Sequence, residues 1–123
     1  CKRLKLEGML AAWMELLDGG ETAIVSLTLE KLAQVGAEER DIDDISAFVG
    51  QVEGVRNGIT LRELRPGVVK LSLRSDPGDL NASAVCGLLG GGGHAAAAGA
   101  TVEGGMAAAR LAVLDAIRRV RES

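Results

Sequence analysis

The chain has 123 residues, 47% of them apolar and 25% charged, with a formal net charge of -3. That length suits one domain with one core, and no apolar run approaches the ~20 residues that span a bilayer. The acidic balance argues against a general nucleic-acid coat, and Trp13 and Phe48 are a poor stock for stacking successive bases.

Taken in chain order, Leu6, Leu10, Trp13 and Leu17 fall at helical spacing, and Asp18-Gly19-Gly20 would stop that helix. Thr22 to Leu27 reads as a strand, followed by a short helix from Leu29 to Val35, capped by Thr28 and ended at Gly36. Ile42, Ile45 and Val49 mark another helix, with Asp41, Asp43 and Asp44 in the first turn, where the helix dipole favours acids. Two strands follow around an Arg65-Pro66-Gly67 turn. In the second, Val69, Leu71 and Leu73 share one face and Lys70, Ser72 and Arg74 the other. Leu80, Ala84 and Leu88 describe a short helix with Asp79 or Asn81 as its cap. Ala100 to Val102 is read as a strand, and Met106, Ala109, Val113, Ile117 and Val120 give the last helix its stripe. Arg118, Arg119 and Arg121 close that helix at its carbonyl end. The interleaving predicts an α/β fold, a mixed sheet of about five strands flanked by helices in a single domain.

Cys1 and Cys86 show no metal-ligand spacing and are read as reduced thiols, which fits a cytoplasmic protein. The chain opens on Cys1, inside an already periodic segment, and reads as a piece of something longer.

The most distinctive stretch is residues 90–99, four glycines, the only histidine (His94), four alanines and a glycine. Four glycines give up packing and backbone order. They are tolerated where a backbone turns tightly or lies against a ligand, and successive N–H groups there suit an oxyanion. A flexible turn with a surface histidine is the plain alternative. The run is neither a dinucleotide fingerprint nor a P-loop. Arg74 and Ser75, at the end of a strand one short helix upstream, are candidates to clamp a phosphate, or else a solvated strand end. One histidine in a glycine loop is not a two-metal cage, and no nucleophile–histidine–acid set is legible. No catalytic residue and no metal ligand is therefore expected in this stretch of chain.

Gly91-Gly92-Gly93-His94 followed by Ala97-Ala98-Gly99 resembles the GGGH-x-x-AAG signature of the DHH-associated C-terminal domain of DHH-family phosphoesterases. Val69 to Ser75, and then Asp79 to Ala84, are similar to the segment preceding that signature in the nano-RNase and pAp-phosphatase branch. Asp43-Asp44-Ile45 is placed like that branch's acidic helix start. Leu89 stands where many relatives have phenylalanine, and Ala95 and Ala96 replace a polar pair.

The resemblance implies a division of labour. An N-terminal DHH domain of the same chain would hold two manganese ions and perform the chemistry. Residues 1–20 would be the linker and helix after that domain, and residues 21–123 the substrate-binding domain. Arg74, Ser75, Gly91, Gly92, Gly93 and His94 become substrate-binding candidates for a short oligoribonucleotide, pAp or a related nucleotide, with no cofactor held in this part. Two other readings stand beside it. One is a tRNA- or single-stranded-RNA-binding module related to the end of alanyl-tRNA synthetases. The other is a structural domain that packs on a partner or forms a homodimer.

Overall fold

The computed structural model describes residues 8–9, 11–36 and 38–123. Six strands form one mixed sheet in the order β1-β2-β3-β4-β6-β5. They are β1 (Met14–Leu17), β2 (Thr22–Leu27), β3 (Asn57–Arg65), β4 (Val68–Ser75), β5 (Gly92–Gly93) and β6 (Ala97–Glu103). Only β2 and β3 run parallel, which requires a crossover. Two helices supply it, α1 (Leu29–Val35) and α2 (Glu39–Gly50). The Thr28 hydroxyl accepts from the Lys31 N–H at 3.1 Å to start α1, and the Glu38 N–H donates to the Asp41 carboxylate at 2.8 Å at the start of α2. Helices α3 (Ala82–Leu88) and α4 (Met106–Glu122) complete the fold.

The period-2 pattern sends the strands' side chains to two different surroundings. On one face, Ile59, Leu61, Val69, Leu71 and Leu73 pack with Val85 and Cys86 of α3 and with Val113 and Ile117 of α4. On the other, Ala23, Val25 and Leu27 pack under Ile45 and Val49 of α2. That second core is confined to the β2 side. Beyond it, over β3 and β4, the same face carries Thr60, Arg62, Lys70, Ser72 and Arg74 instead of apolar residues. Truncating a wholly buried residue of the first core, such as Leu71, would cost about 2–5 kcal/mol.

The sequence reading holds for the α/β class and its mixed sheet of about five strands, which number six, and for β2, α1, α2, the β3–β4 pair, β6 and α4; two details differ. Leu17, expected on a helix, ends β1, which pairs antiparallel with β2 from Met14↔Val25 to Leu17↔Thr22. An exposed edge of β2 offers a row of hydrogen-bonding groups, and Met14 and Leu17 gain more by pairing there than by continuing a helix. The short helix α3 forms behind its Asn81 cap, but Leu80, Ala84 and Leu88 do not together make its buried face. Leu80 precedes the helix, Leu88 is 45% exposed, and Ala82, Val85 and Cys86 are buried. Small residues at Ala82 and Cys86 let the short helix sit close to the sheet. Leu6, Leu10 and Cys1, and the side chains of Ile42 and Asp43, lie outside the described residues. Cys86 is free, and burial pushes its thiol pKa up, as expected of an inert, apolar cysteine.

Candidate functional site

Three rows of residues cross the part of the sheet that α2 leaves uncovered. In the middle row Thr60 lies opposite Ser72, Ser72 opposite Gly99, and Gly99 opposite Gly92. To one side, Gly58 is opposite Arg74 and Arg74 opposite Ala97. Ala97 in turn exchanges both backbone hydrogen bonds with His94, the His94 N–H donating at 2.8 Å and the Ala97 N–H at 3.2 Å. To the other side, Arg62 is opposite Lys70 and Lys70 opposite Thr101.

These rows floor a cleft of about 400 Å³, walled on one side by Ser46 of α2. Ala97, Ala98, Gly99 and Gly92 contribute nothing larger than a methyl group to it, so the floor stays open over β6 and β5. Arg62, Lys70 and Arg74 all line the cleft, and among the described residues no carboxylate does. A chain with a net charge of -3 therefore presents one locally cationic, concave surface, which concentrates anions.

Arg74 is exposed at the end of β4, as the sequence pattern predicts. Its aliphatic stem lies across the last residue of α2: a Cβ at Gly50 would stand 3.3 Å from the Arg74 Cδ. The helix end thus steers the guanidinium along the sheet. Neither Arg74 nor Lys70 has an ion-pair partner among the described residues. Arg56, by contrast, is committed to Asp76 at 2.9 Å, and each raises the charged character of the other.

Ser75 sits elsewhere in the arrangement. Its N–H donates to the Ala96 carbonyl at 3.0 Å and its hydroxyl to the Ala95 carbonyl at 3.1 Å. Ala82 N–H reaches the same Ala95 carbonyl at 2.8 Å. The turn after His94 is thereby tied to β4 and to the start of α3. Asn81 caps α3 by accepting from the Ala84 N–H at 3.0 Å, the structural role its residue type favours.

The glycines divide by face. A Cβ at Gly91 would collide with the Gly99 carbonyl and sit 2.7 Å from the Ala100 Cα, and one at Gly93 would sit 2.6 Å from the Ala98 Cα. Both are glycine because β5 lies hard against β6. Gly92 faces the other way, lines the cleft, and would meet nothing within 4 Å. The loop's amides divide as well. The Gly91 N–H is used by the Cys86 carbonyl at 2.8 Å and the His94 N–H by Ala97. Because His94 and Ala97 form a hydrogen-bonded pair, the next pair, Gly93–Ala98, is a non-bonded one. The Gly93 N–H therefore points away from β6, along the outer edge of the sheet. His94 itself is exposed in the turn, beside Ala97 of the cleft floor.

Arg74, Gly92 and Gly93 thus line one end of the cleft, His94 stands in the turn beside it without lining it, held to Ala97 through its backbone, and Gly91 and Ser75 hold the loop in place. Sequence reasoning did not find Thr60, Arg62, Ser46 or Gly50. The alternation of Thr60 and Arg62 with Ile59 and Leu61 was a usable signal, once β3 is paired with β4. Among the described residues no group of three or more His, Cys, Asp or Glu could hold a metal ion.

No protein-family model matches the sequence. Over 84 residues the chain is 44% identical to the bifunctional oligoribonuclease and PAP phosphatase NrnA of Thermus thermophilus, a match covering 68% of this chain and 25% of that protein. An exopolyphosphatase-related protein from Bacteroides fragilis superposes with a TM-score of 0.84 at 25% identity, over 98% of this chain and 35% of the other. A pGpG-specific phosphodiesterase, PggH, from Vibrio cholerae superposes with a TM-score of 0.70 at 16% identity, over 98% of this chain and 39% of the other. At that identity the likeness is one of fold. The chain spans a quarter of the length of the curated relative it matches.

Proposed function

We propose that this chain, which belongs to the DHH phosphoesterase family, is the substrate-binding lobe of an enzyme acting on short oligoribonucleotides, pAp or related nucleotides. The observation that carries the reading is the row Arg74–Ala97–His94 beside a cleft that no carboxylate lines among the described residues, with the open Gly92 next to it. The relative at 44% identity is named for an oligoribonuclease and a PAP phosphatase activity, and both act on phosphate esters of nucleosides.

In this reading Arg74 grips a phosphate through two parallel N–H bonds, the geometry a planar guanidinium supplies and an ammonium does not. His94 donates to another oxygen of the same group, and the outward Gly93 N–H adds a third donor. Gly92 keeps the backbone low so that the ligand reaches both. Gly91 and Ser75 fix the loop that carries these donors. The phosphate gives up part of its hydration to fixed donors, which orients the ester for attack.

Bond breaking is assigned to an N-terminal DHH domain of the same chain, where two manganese ions would activate the attacking water. The cationic lining of the cleft does not fit a metal ion, so no step at this site runs through one. No helix of the described residues is long and apolar enough to cross a membrane, and we place the enzyme in the cytoplasm.

The test is calorimetric titration of the chain with a 5′-phosphorylated diribonucleotide. Binding should weaken about tenfold or more in His94→Ala and in Arg74→Ala, in line with the ~1.5–3 kcal/mol of a hydrogen bond to a charged group. The salt slope should be shallow, near ~0.7 per phosphate contacted. Equal affinity in both variants contradicts the reading. A steep slope with long RNA would point instead to an RNA-binding module.

A further inference from the structure

Two glycines meet where α2 ends on the sheet, and backbone packing explains only one of them. Gly58, on β3, is opposite Arg74. A Cβ at Gly58 would stand 3.0 Å from the Gly50 Cα and N and 3.2 Å from the Val49 carbonyl carbon. Backbone touches backbone there, so glycine at 58 lets the helix end sit on the strand. Gly50 is different. It is the last residue of the helix, and among the described residues the three atoms nearest to a Cβ there all belong to Arg74: Cδ at 3.3 Å, Cβ at 3.4 Å and Cγ at 3.9 Å. A glycine in a helix gives up order that an alanine keeps. Helix stability alone would favour alanine at position 50, and only the stem of Arg74 stands against it. Such local departures mark places where a sequence serves something other than its fold.

The course of that stem has a consequence, because Arg74 lines two cavities. One is the cleft on the sheet face, and the other is a cavity of about 380 Å³ at the end of the sheet. Gly50, Gln51 and Val55 wall the second cavity, together with Asp76, whose carboxylate lies 2.9 Å from Arg56. The two surroundings differ in charge. Among the described residues no carboxylate lines the cleft, whereas Asp76 lines the second cavity. A guanidinium turned into the cleft keeps its donors for an incoming anion. One turned the other way enters the cavity of a carboxylate and competes with Arg56 for it. The choice is made in the stem, since the staggered torsions at Cγ and Cδ set where the guanidinium goes.

We infer that Gly50 is a positioning residue for Arg74: without a side chain at 50, the arginine stem lies across the end of α2 and carries its guanidinium to the cleft rather than to the cavity of Asp76. This rests on the reading of Arg74 as the phosphate grip. A methyl group at 50 pushes the Arg74 Cδ aside by a few tenths of an ångström or forces another rotamer. The guanidinium nitrogens lie beyond that point on the side chain, so they move furthest. The methyl meets a flexible side chain rather than backbone, so the fold absorbs it while the grip does not. A donor pair displaced by even a fraction of its hydrogen-bond length no longer matches the phosphate it is set for.

The experiment is titration of the chain with adenosine 5′-monophosphate in wild type, Gly50→Ala, Arg74→Ala and the double variant. Denaturant unfolding is measured on each, and the Arg74 Nε–H signal is recorded in the ligand-free wild type and Gly50→Ala. Gly50→Ala should weaken binding about threefold or more, while the same change made on Arg74→Ala should alter affinity by less than about twofold. Stability should stay level or rise, since alanine replaces glycine in a helix, and the Nε–H signal should move. Weakening by the same factor in both backgrounds, or a loss of stability in Gly50→Ala, makes the glycine structural and overturns the proposal. Undiminished binding in Gly50→Ala, with Arg74→Ala still impaired, overturns it too and leaves the phosphate grip standing. An unmoved Nε–H signal removes the steering itself. If Arg74→Ala binds as wild type does, or wild type does not bind, the grip falls and the proposal falls with it.

Discussion

Arg74 and His94 share one backbone neighbour, Ala97, which is paired to Arg74 on one side and to His94 on the other. They are twenty positions apart in the chain, and β6 brings them together. The alanine matters as much as its neighbours, because a longer side chain there would stand between the two donors.

Replacing Arg74 separates charge from shape. Arg74→Lys keeps the positive charge but not the two-pronged donor set, so it should restore little of the roughly tenfold affinity lost in Arg74→Ala. The exposed position predicts stability changes within about 0.5 kcal/mol for both. Parallel calorimetric titration with a diribonucleotide and denaturant unfolding check the two halves. Full recovery in Arg74→Lys would mean that Arg74 acts only through its charge.

Gly91 and Gly92 are adjacent and should behave oppositely. In Gly91→Ala the new methyl meets the Gly99 carbonyl and the Ala100 backbone, and the forced shift should cost about 1–3 kcal/mol. In Gly92→Ala the methyl enters open space in the cleft. Stability there should be unchanged or slightly higher, since alanine loses less freedom on folding, while nucleotide affinity falls. Melting temperature and affinity measured on the same two variants decide it. A loss of stability without a specific loss of binding in Gly92→Ala would favour a purely structural glycine run.

Ser75→Ala tests the anchor of the loop. It removes the hydroxyl bond to the Ala95 carbonyl, but that carbonyl keeps the Ala82 N–H. The cost should be a single net hydrogen bond, about 0.5–1.5 kcal/mol. Hydrogen exchange should quicken at His94 and Ala97, while α4 is unaffected. Unchanged exchange in the hairpin would show that Ser75 does not tether the turn.

The pH dependence of stability follows from Asp79. Its carboxylate accepts from both Arg121 terminal nitrogens at 3.2 Å, and chiefly for that reason its pKa is held below the usual carboxylate value. A pKa depressed in the folded state contributes stability that is present above the unfolded value, near ~3.9. That stability is lost as pH falls through the lower, folded value. Glu15, paired with Arg110, and Asp76, paired with Arg56, shift in the same direction. Unfolding free energy should therefore fall below about pH 4, and Arg121→Gln should fall less steeply. An identical acid slope in the variant would show that the Asp79–Arg121 pair contributes nothing.

Much of this was legible in the sequence, and the failures have specific causes. Alternation in Val69 to Arg74 placed Lys70, Ser72 and Arg74 on one face, because a half-buried strand imposes period 2. The contribution of β3 was harder to read. A two-residue turn at Pro66-Gly67 sets Arg65 opposite Val68, a register that would put core residues against polar ones. An irregularity between Glu63 and Arg65 shifts the pairing by one, so that Arg62 meets Lys70 and Thr60 meets Ser72. Such a bulge corrects the register without leaving a composition signal. Residues 90–99 gave away their glycines but not their geometry. That Gly92 and Gly93 form an edge strand depends on β6, and only the packed sheet separates the glycines that must be small from the one that leaves room. Leu17 was misread because helical spacing in a short segment cannot foresee a free strand edge nearby.

The most direct test of the central claim is a map of where a nucleotide phosphate touches the domain. Adenosine 5′-monophosphate titrated into the isotope-labelled chain should shift the amide signals of Arg74, Gly92, Gly93, His94 and Ala97, leaving those of α4 in place. A groove also lies on the opposite side, lined by Leu17, Thr22, Leu114 and Arg118. Shifts confined to that groove, or none at Arg74 and Gly92 at saturating nucleotide, would contradict the account.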